Sequence, residues 1–125
     1  HWVILFRAKQ VTLGSVIVMS KNLQQAGLGG LSTEAWSEFG TVCKDLEQVI
    51  RATFGAEKFN YLALMMYDPE VHFHVIPRYS TNVEFAGVLF KDPDWPNATQ
   101  RIGLTLAPEV LSDIEQHLQE KFAEL

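Results

Sequence analysis

The sequence predicts an α+β fold, with a mostly antiparallel sheet of about five strands, one long helix and a C-terminal helix. Between Thr33 and Phe54, apolar residues recur with helical spacing. On either side of that segment, short runs rich in β-branched and aromatic residues are separated by turn-forming residues. Because these runs follow one another instead of alternating with helices, we expect them to pair as antiparallel neighbours.

The start of the chain predicts a β-hairpin. Its strands are two apolar stretches, Trp2 to Phe6 and Leu13 to Met19, and its turn lies at Gln10 to Thr12. A glycine-containing connection from Asn22 to Gly30 follows. The hairpin should therefore reach the long helix through a flexible loop.

The two predicted helices have recognisable ends. Ser32 is a favourable N-cap and Gly55 a favourable stop, so the long helix should span Thr33 to Phe54. A second amphipathic helix is expected from Pro108 to Phe122, because proline suits the first helical turn.

The segment between the helices predicts three more strands and a loop. Asp68 and Pro69 mark a turn between the first two strands. A loop rich in proline and aspartate follows the third strand. The predicted strands are Phe59 to Met66, Val71 to Arg78 and Phe85 to Phe90, and the loop is Lys91 to Thr99.

Length and composition indicate a single domain spanning residues 1–125. The formal net charge of -5 argues against a nucleic-acid surface, which would need a basic face. Cys43 is the only cysteine, which suits a cytoplasmic protein without disulfides. No apolar run reaches the roughly 18 residues of a membrane span. We therefore expect no membrane partner.

The predicted strand from Val71 to Arg78 carries a row of ionisable side chains. Because side chains alternate between the faces of a strand, Glu70, His72 and His74 should lie on one face. Three interpretations are open at this point. His72 could be a nucleophile that attacks phosphorus, the three side chains could bind a metal ion, or the histidines could be structural.

The row and its surroundings resemble the histidine-triad (HIT) superfamily, whose motif alternates three histidines with apolar residues and is often followed by Pro-Arg. Here Glu70, His72 and His74 occupy the three slots, and Pro77-Arg78 follows. Flanking segments similar to bacterial members, including those like diadenosine polyphosphate hydrolases, are Thr12 to Val18, Leu31 to Glu34, Gly55 to Tyr61 and Phe90 to Pro96.

The resemblance implies a HIT-like fold and a nucleotide phosphohydrolase or nucleotidyl transferase. His72 would attack the α-phosphorus and form a covalent nucleotidyl-histidine, and His74 would contact the phosphate or orient the site. The partner would be a nucleotide or dinucleotide bound by a homodimer. The triad would hold no metal and require no cofactor, although a divalent cation could accompany the substrate. Further positions predicted to contact or support the nucleotide are Asn22, Asn60, Met66 and Arg78.

Three departures from the family pattern weaken the case for catalysis. Glu70 replaces the first histidine, Asn22 stands where many members have another histidine, and Met65-Met66 stand where bacterial relatives have Gly-Asn. A protonated Glu70 could donate a proton to the leaving group, whereas an ionised Glu70 would repel phosphate. The alternative to an enzyme is therefore a nucleotide-binding HIT-like module with weak or no turnover.

Overall fold

A computed structural model describes residues 1–25, 27–98, 108 and 109. They form an α+β structure, as the sequence predicts. A short 3-10 helix at Leu28–Gly30 precedes the long helix. The elements are β1 (Trp2–Phe6), β2 (Val16–Ser20), α1 (Thr33–Phe54), β3 (Lys58–Leu62), β4 (His72–Arg78), β5 (Val83–Phe85) and β6 (Val88–Phe90).

The main sheet has four antiparallel strands in the order β1-β2-β4-β3. In its centre, Ile17 on β2 and Leu62 on β3 both lie opposite His74 on β4. Residues directly opposite one another in an antiparallel pair point to the same face. The register therefore fixes which side chains surround the histidines.

One face of the sheet packs against α1 and forms the core. Trp2, Phe39 and Phe73 make the centre of this contact, where the rings of Phe39 and Phe73 stack with centroids 4.5 Å apart. The indole of Trp2 also donates to the carbonyl of Ala35, 2.8 Å away. Burying this aromatic cluster joins the first strand to the helix, which is why β1 belongs to the sheet although it lies at its edge.

The ends of α1 are those that the sequence predicts. The Ser32 hydroxyl accepts a hydrogen bond from the backbone N–H of Ala35, and Gly55 adopts the left-handed conformation that ends the helix.

The number of strands differs from the prediction. The expected strand from Phe85 to Phe90 is a separate two-stranded hairpin, β5-β6, because Ala86 and Gly87 both take positive φ and reverse the chain. The described strands thus form sheets of four and two, not one sheet of about five.

Three strand boundaries also differ. Strand β2 begins at Val16, not Leu13, because Gly14 has positive φ and the preceding residues form a turn. Strand β3 ends at Leu62 and is followed by loop, in which Met65 also has positive φ. Strand β4 begins at His72, not Val71. Pro108 and Glu109 are helical, and the rest of the helix predicted from Pro108 to Phe122 lies outside the described residues. Within the described part of the chain, no helix is both long and apolar enough to cross a membrane.

Candidate functional site

The histidines of β4 lie on the face of the sheet opposite α1. Val71, Phe73 and Val75 belong to the core beneath the helix, so the intervening His72 and His74 point the other way. The two imidazoles meet edge to face, with ring centroids 5.1 Å apart. The structure thus brings together two of the predicted site residues as the alternation in the sequence requires.

His72 is held in one orientation by the backbone. Its side chain is buried, and its Nδ1 lies 2.7 Å from the carbonyl oxygen of Glu70. A carbonyl oxygen can only accept, so Nδ1 carries the hydrogen. In the neutral imidazole the lone pair is then on Nε2. His72 therefore offers a nucleophilic nitrogen whose tautomer is set by the main chain.

His74 has the opposite arrangement of donor and acceptor. The guanidinium of Arg7 lies 3.3 Å from its Nδ1, and because a guanidinium can only donate, Nδ1 of His74 accepts. The neutral ring then carries its hydrogen on Nε2. Burial lowers the pKa of His74, and the charges of His72 and Arg7 lower it further, against an opposing effect of Asp68. His74 is therefore a neutral N–H donor at neutral pH.

Arg7 is a site residue that the sequence analysis missed. It follows β1, two residues after Leu5. Leu5 lies opposite Ile17 on β2, and Ile17 lies opposite His74 on β4. Alternation along β1 could have placed Arg7 on the histidine face, had the hairpin register been known. The register could not be predicted, because β1 and β2 are connected by nine residues, Arg7 to Ser15. A connection of this length does not specify one turn geometry.

Glu70 contributes its backbone carbonyl to the site. The half-buried residue lies two positions before β4 begins. Its carbonyl carries the contact with His72, which any residue at this position can provide. The orientation of His72 therefore does not depend on the side chain at position 70.

Arg78 and Asn60 are engaged in a buried structural cluster. Arg78 donates to both carboxylate oxygens of Asp92, at 2.6 and 3.1 Å, and to the side-chain oxygen of Asn60, at 2.5 Å. A further bond reaches the carbonyl of Asn97. The side chains of Arg78 and Asp92 are only 6% and 2% exposed. These contacts anchor the loop after β6 to β4, and leave the guanidinium of Arg78 occupied.

The other predicted nucleotide contacts lie apart from the two imidazoles. Asn22 accepts from the N–H of Gln24 and lines a cavity of about 390 Å³ beside the start of α1, whose lining does not include the histidines of β4. Met66 is 81% exposed in the loop between β3 and β4. Neither residue has a contact with His72 or His74 among the hydrogen bonds and aromatic pairs of the described residues.

The side chains of the row do not form a metal site. Across residues 1–25, 27–98, 108 and 109, no group of three or more histidine, cysteine, aspartate or glutamate side chains is arranged to hold a metal ion. One nitrogen of His72 faces a carbonyl and one nitrogen of His74 faces a guanidinium. These contacts occupy one ring nitrogen of each histidine.

Comparisons with known proteins bear on the fold. No family model matches the chain, and no curated protein matches it. Among solved structures, the chain is similar to a hypothetical protein from Leishmania major, with a TM-score of 0.57 and 15% identity. The match covers 99% of this chain and 82% of that one. This likeness establishes a shared fold.

Proposed function

We propose that this chain is a HIT-type nucleotide phosphohydrolase or nucleotidyl transferase that attacks an α-phosphorus through Nε2 of His72. The observation that carries the proposal is the bond from Nδ1 of His72 to the Glu70 carbonyl, which leaves the Nε2 lone pair free. The Glu70-x-His72-x-His74 row, placed on a central strand of an antiparallel sheet, supports a HIT-like fold. The same resemblance extends the proposal to a cytoplasmic homodimer that acts on a nucleotide or dinucleotide.

The chemistry proceeds in two displacements. The Nε2 lone pair forms a bond to phosphorus while the bond from phosphorus to the leaving group breaks, and the leaving group takes that electron pair. The imidazolium that results is stabilised by its Nδ1–H bond to the carbonyl of Glu70. Water then attacks phosphorus, the P–N bond breaks and its electrons return to Nε2, and the water proton is released. In a transferase another nucleophile replaces the water.

His74 supports the same reaction from the neighbouring position. Its Nε2–H is a donor suited to a non-bridging phosphate oxygen, where negative charge develops during attack. The leaving group needs a proton, and the carboxyl of Glu70, when protonated, is one source of it. These roles explain why two imidazoles with opposite donor patterns lie side by side.

Mass spectrometry after brief exposure to adenosine phosphoramidate or a dinucleoside polyphosphate tests the proposal. We expect a mass increase of one adenylyl group on the peptide that contains His72, and release of AMP over time. The His72→Asn variant should show neither, whereas His1→Gln, which changes an exposed histidine outside the row, should retain both. Absence of the adduct and of turnover with every such substrate contradicts an enzyme.

A nucleotide-binding module without turnover is the second candidate. Its support is the carboxylate of Glu70 in the first slot of the row, which opposes the approach of an anionic phosphate. Calorimetry with AMP and GMP separates the two candidates. Binding without adduct or hydrolysis supports the module, whereas absence of both binding and hydrolysis removes both.

A further inference from the structure

Arg7 is a cation placed against an uncharged acceptor. Its guanidinium contacts Nδ1 of His74, and within the described part of the chain no carboxylate lies within ion-pair distance of it. A guanidinium has five N–H donors, and the contact with His74 uses one. The remaining donors of Arg7 meet no acceptor among the described residues. This arrangement differs from that of Arg78, whose donors are matched by Asp92, Asn60 and Asn97.

The loop that carries Arg7 is structured. Gln10 donates to the carbonyls of Arg7 and Ser15 and accepts from the N–H groups of Gly14 and Ser15. Thr12 donates to the carbonyl of Pro77 on β4, at 2.5 Å. The loop is therefore tied to the strand that bears the histidines, so the backbone of Arg7 keeps a fixed position relative to His74.

The surroundings of Arg7 leave it accessible. Leu5 and Ile17 lie in the same cross-strand row as His74, so the guanidinium stands at the end of an apolar strip of the sheet. Leu5 is 39% exposed and Arg7 is half-buried, so this edge of the sheet is open to a ligand from solvent.

We infer that Arg7 and His74 form a phosphate-binding pair, in which the guanidinium binds non-bridging oxygens and makes the site selective for ligands that carry an ionised phosphate. The inference rests on the proposed function for the class of ligand, a nucleoside phosphate. The planar guanidinium matches two phosphate oxygens at once, and its contact with Nδ1 of His74 fixes where that fork lies. Arg7 is thus a specificity-determining residue of the site that contains His72.

Calorimetry with AMP and adenosine tests this inference without any turnover, since AMP is already the product of hydrolysis. The wild-type chain should bind AMP more tightly than adenosine. Arg7→Gln should weaken AMP binding roughly tenfold to hundredfold and leave adenosine binding unchanged, because hydrogen bonds to charged groups contribute at this level. Arg7→Lys should restore part of the preference, because it returns the charge without the planar fork.

Lys9→Gln is the matched control, since Lys9 is an exposed cation on the same loop. It should leave both affinities unchanged. Equal AMP affinities in the wild type and a folded Arg7→Gln variant overturn the inference, as does a wild type that binds AMP no better than adenosine. If the AMP preference depends on Arg7 but no adduct forms on His72, the inference stands and the proposed catalysis fails.

Discussion

His72 donates its Nδ1 hydrogen to the backbone carbonyl of Glu70, 2.7 Å away. The contact joins the first residue of β4 to a residue two positions before it. It needs no side chain from Glu70. Glu70 therefore orients His72 through its main chain, whatever its side chain does.

Glu70→Gln should tighten AMP binding. Residues two apart on a strand are roughly 6–7 Å apart at Cα, so removing the charge relieves repulsion of a phosphate bound at His72. Coulomb's law at this separation, with the dielectric constants of water and of a protein surface, gives a gain of roughly threefold to seventyfold. Calorimetry at low salt measures it. Glu84→Gln, an exposed carboxylate on β5, is the control and should change nothing.

The same variant separates the two roles of Glu70. If its carboxyl is protonated and supplies the proton of the leaving group, Glu70→Gln should slow adduct formation without tightening AMP binding. If the carboxylate only repels phosphate, adduct formation should not slow. Weaker AMP binding by Glu70→Gln contradicts the electrostatic argument in either case.

The titration of His74 should depend on Arg7. Burial, His72 and Arg7 together hold the pKa of His74 below its ordinary value of 6.5. Removing the Arg7 charge in Arg7→Gln should raise that pKa, because one source of repulsion against the imidazolium is lost. NMR titration of the histidine ring signals measures the midpoint. An unchanged midpoint in the folded variant would show that the two side chains do not interact in solution.

The free energy of unfolding should depend on the protonation of His74. The unfolded chain binds a proton at the ordinary pKa of histidine, whereas folded His74 binds it only at lower pH. The contribution of His74 is thus fully present above about pH 6.5 and falls as the pH drops through the interval between the two pKa values. Urea unfolding at pH 7.5 and pH 5 checks this. His74→Gln should lose less stability than the wild type between these two pH values.

Gln10→Ala should weaken the phosphate preference indirectly. The side chain of Gln10 bonds to the backbone at Arg7, Gly14 and Ser15, so its loss frees the loop that positions the guanidinium. We expect the ratio of AMP to adenosine affinity to fall about threefold to tenfold, and stability to fall by about 1–3 kcal/mol. Calorimetry and urea unfolding measure the two effects.

Gln10→Glu separates the bonds that Gln10 donates, to the carbonyls of Arg7 and Ser15, from those that it accepts. Glutamate keeps an acceptor for the N–H groups of Gly14 and Ser15 but presents an oxygen, not a donor, to the carbonyls of Arg7 and Ser15. A reduced AMP preference in this variant points to the donor contacts. Lys9→Ala, in the same loop, serves as the neutral comparison. An undiminished AMP preference in Gln10→Ala would mean that the loop keeps its shape without this amide.

The sequence predicts the histidine row well because the row depends on local geometry alone. Alternation along one strand places His72 and His74 on one face, and helical spacing with Ser32 and Gly55 at the ends defines α1. Arg7 could not be placed in this way, because its contact with His74 spans 67 residues and depends on the register of three strands. Contacts between distant segments are set by packing, which periodicity does not encode.

Two other features of the structure, the chain reversal at Ala86 and the partner of Arg78, could not be predicted from the sequence. The reversal at Ala86 requires positive φ in an alanine, which is uncommon outside glycine, asparagine and aspartate. The stretch from Val83 to Phe90 therefore has the composition of one continuous strand. Arg78 follows the HIT-like motif and so suggested a ligand contact, but only the folded loop shows that Asp92 is its partner.

Asp92→Asn should destabilise the fold strongly. The variant leaves the guanidinium of Arg78 buried without a compensating charge, and breaking a buried ion pair from one side typically costs about 3–5 kcal/mol. Urea unfolding at pH 7 measures the loss. Asp45→Asn, which changes an exposed carboxylate on α1, should stay within about 0.5 kcal/mol of the wild type.

The ion pair of Arg78 and Asp92 should make the stability of the fold depend on pH in the acid range. Burial disfavours the ionised form of Asp92, but bonds from Arg78, from the N–H of Tyr79 and from the N–H of Asp94 outweigh it, so the pKa lies below its ordinary value of 3.8. Because the folded pKa is depressed, the contribution of Asp92 is fully present above the unfolded pKa and is lost as the pH falls through the folded one. The gap in stability between wild type and Asp92→Asn should therefore narrow below about pH 3.8. A gap that stays constant down to pH 2 would show that the loop is held by packing and not by this charge.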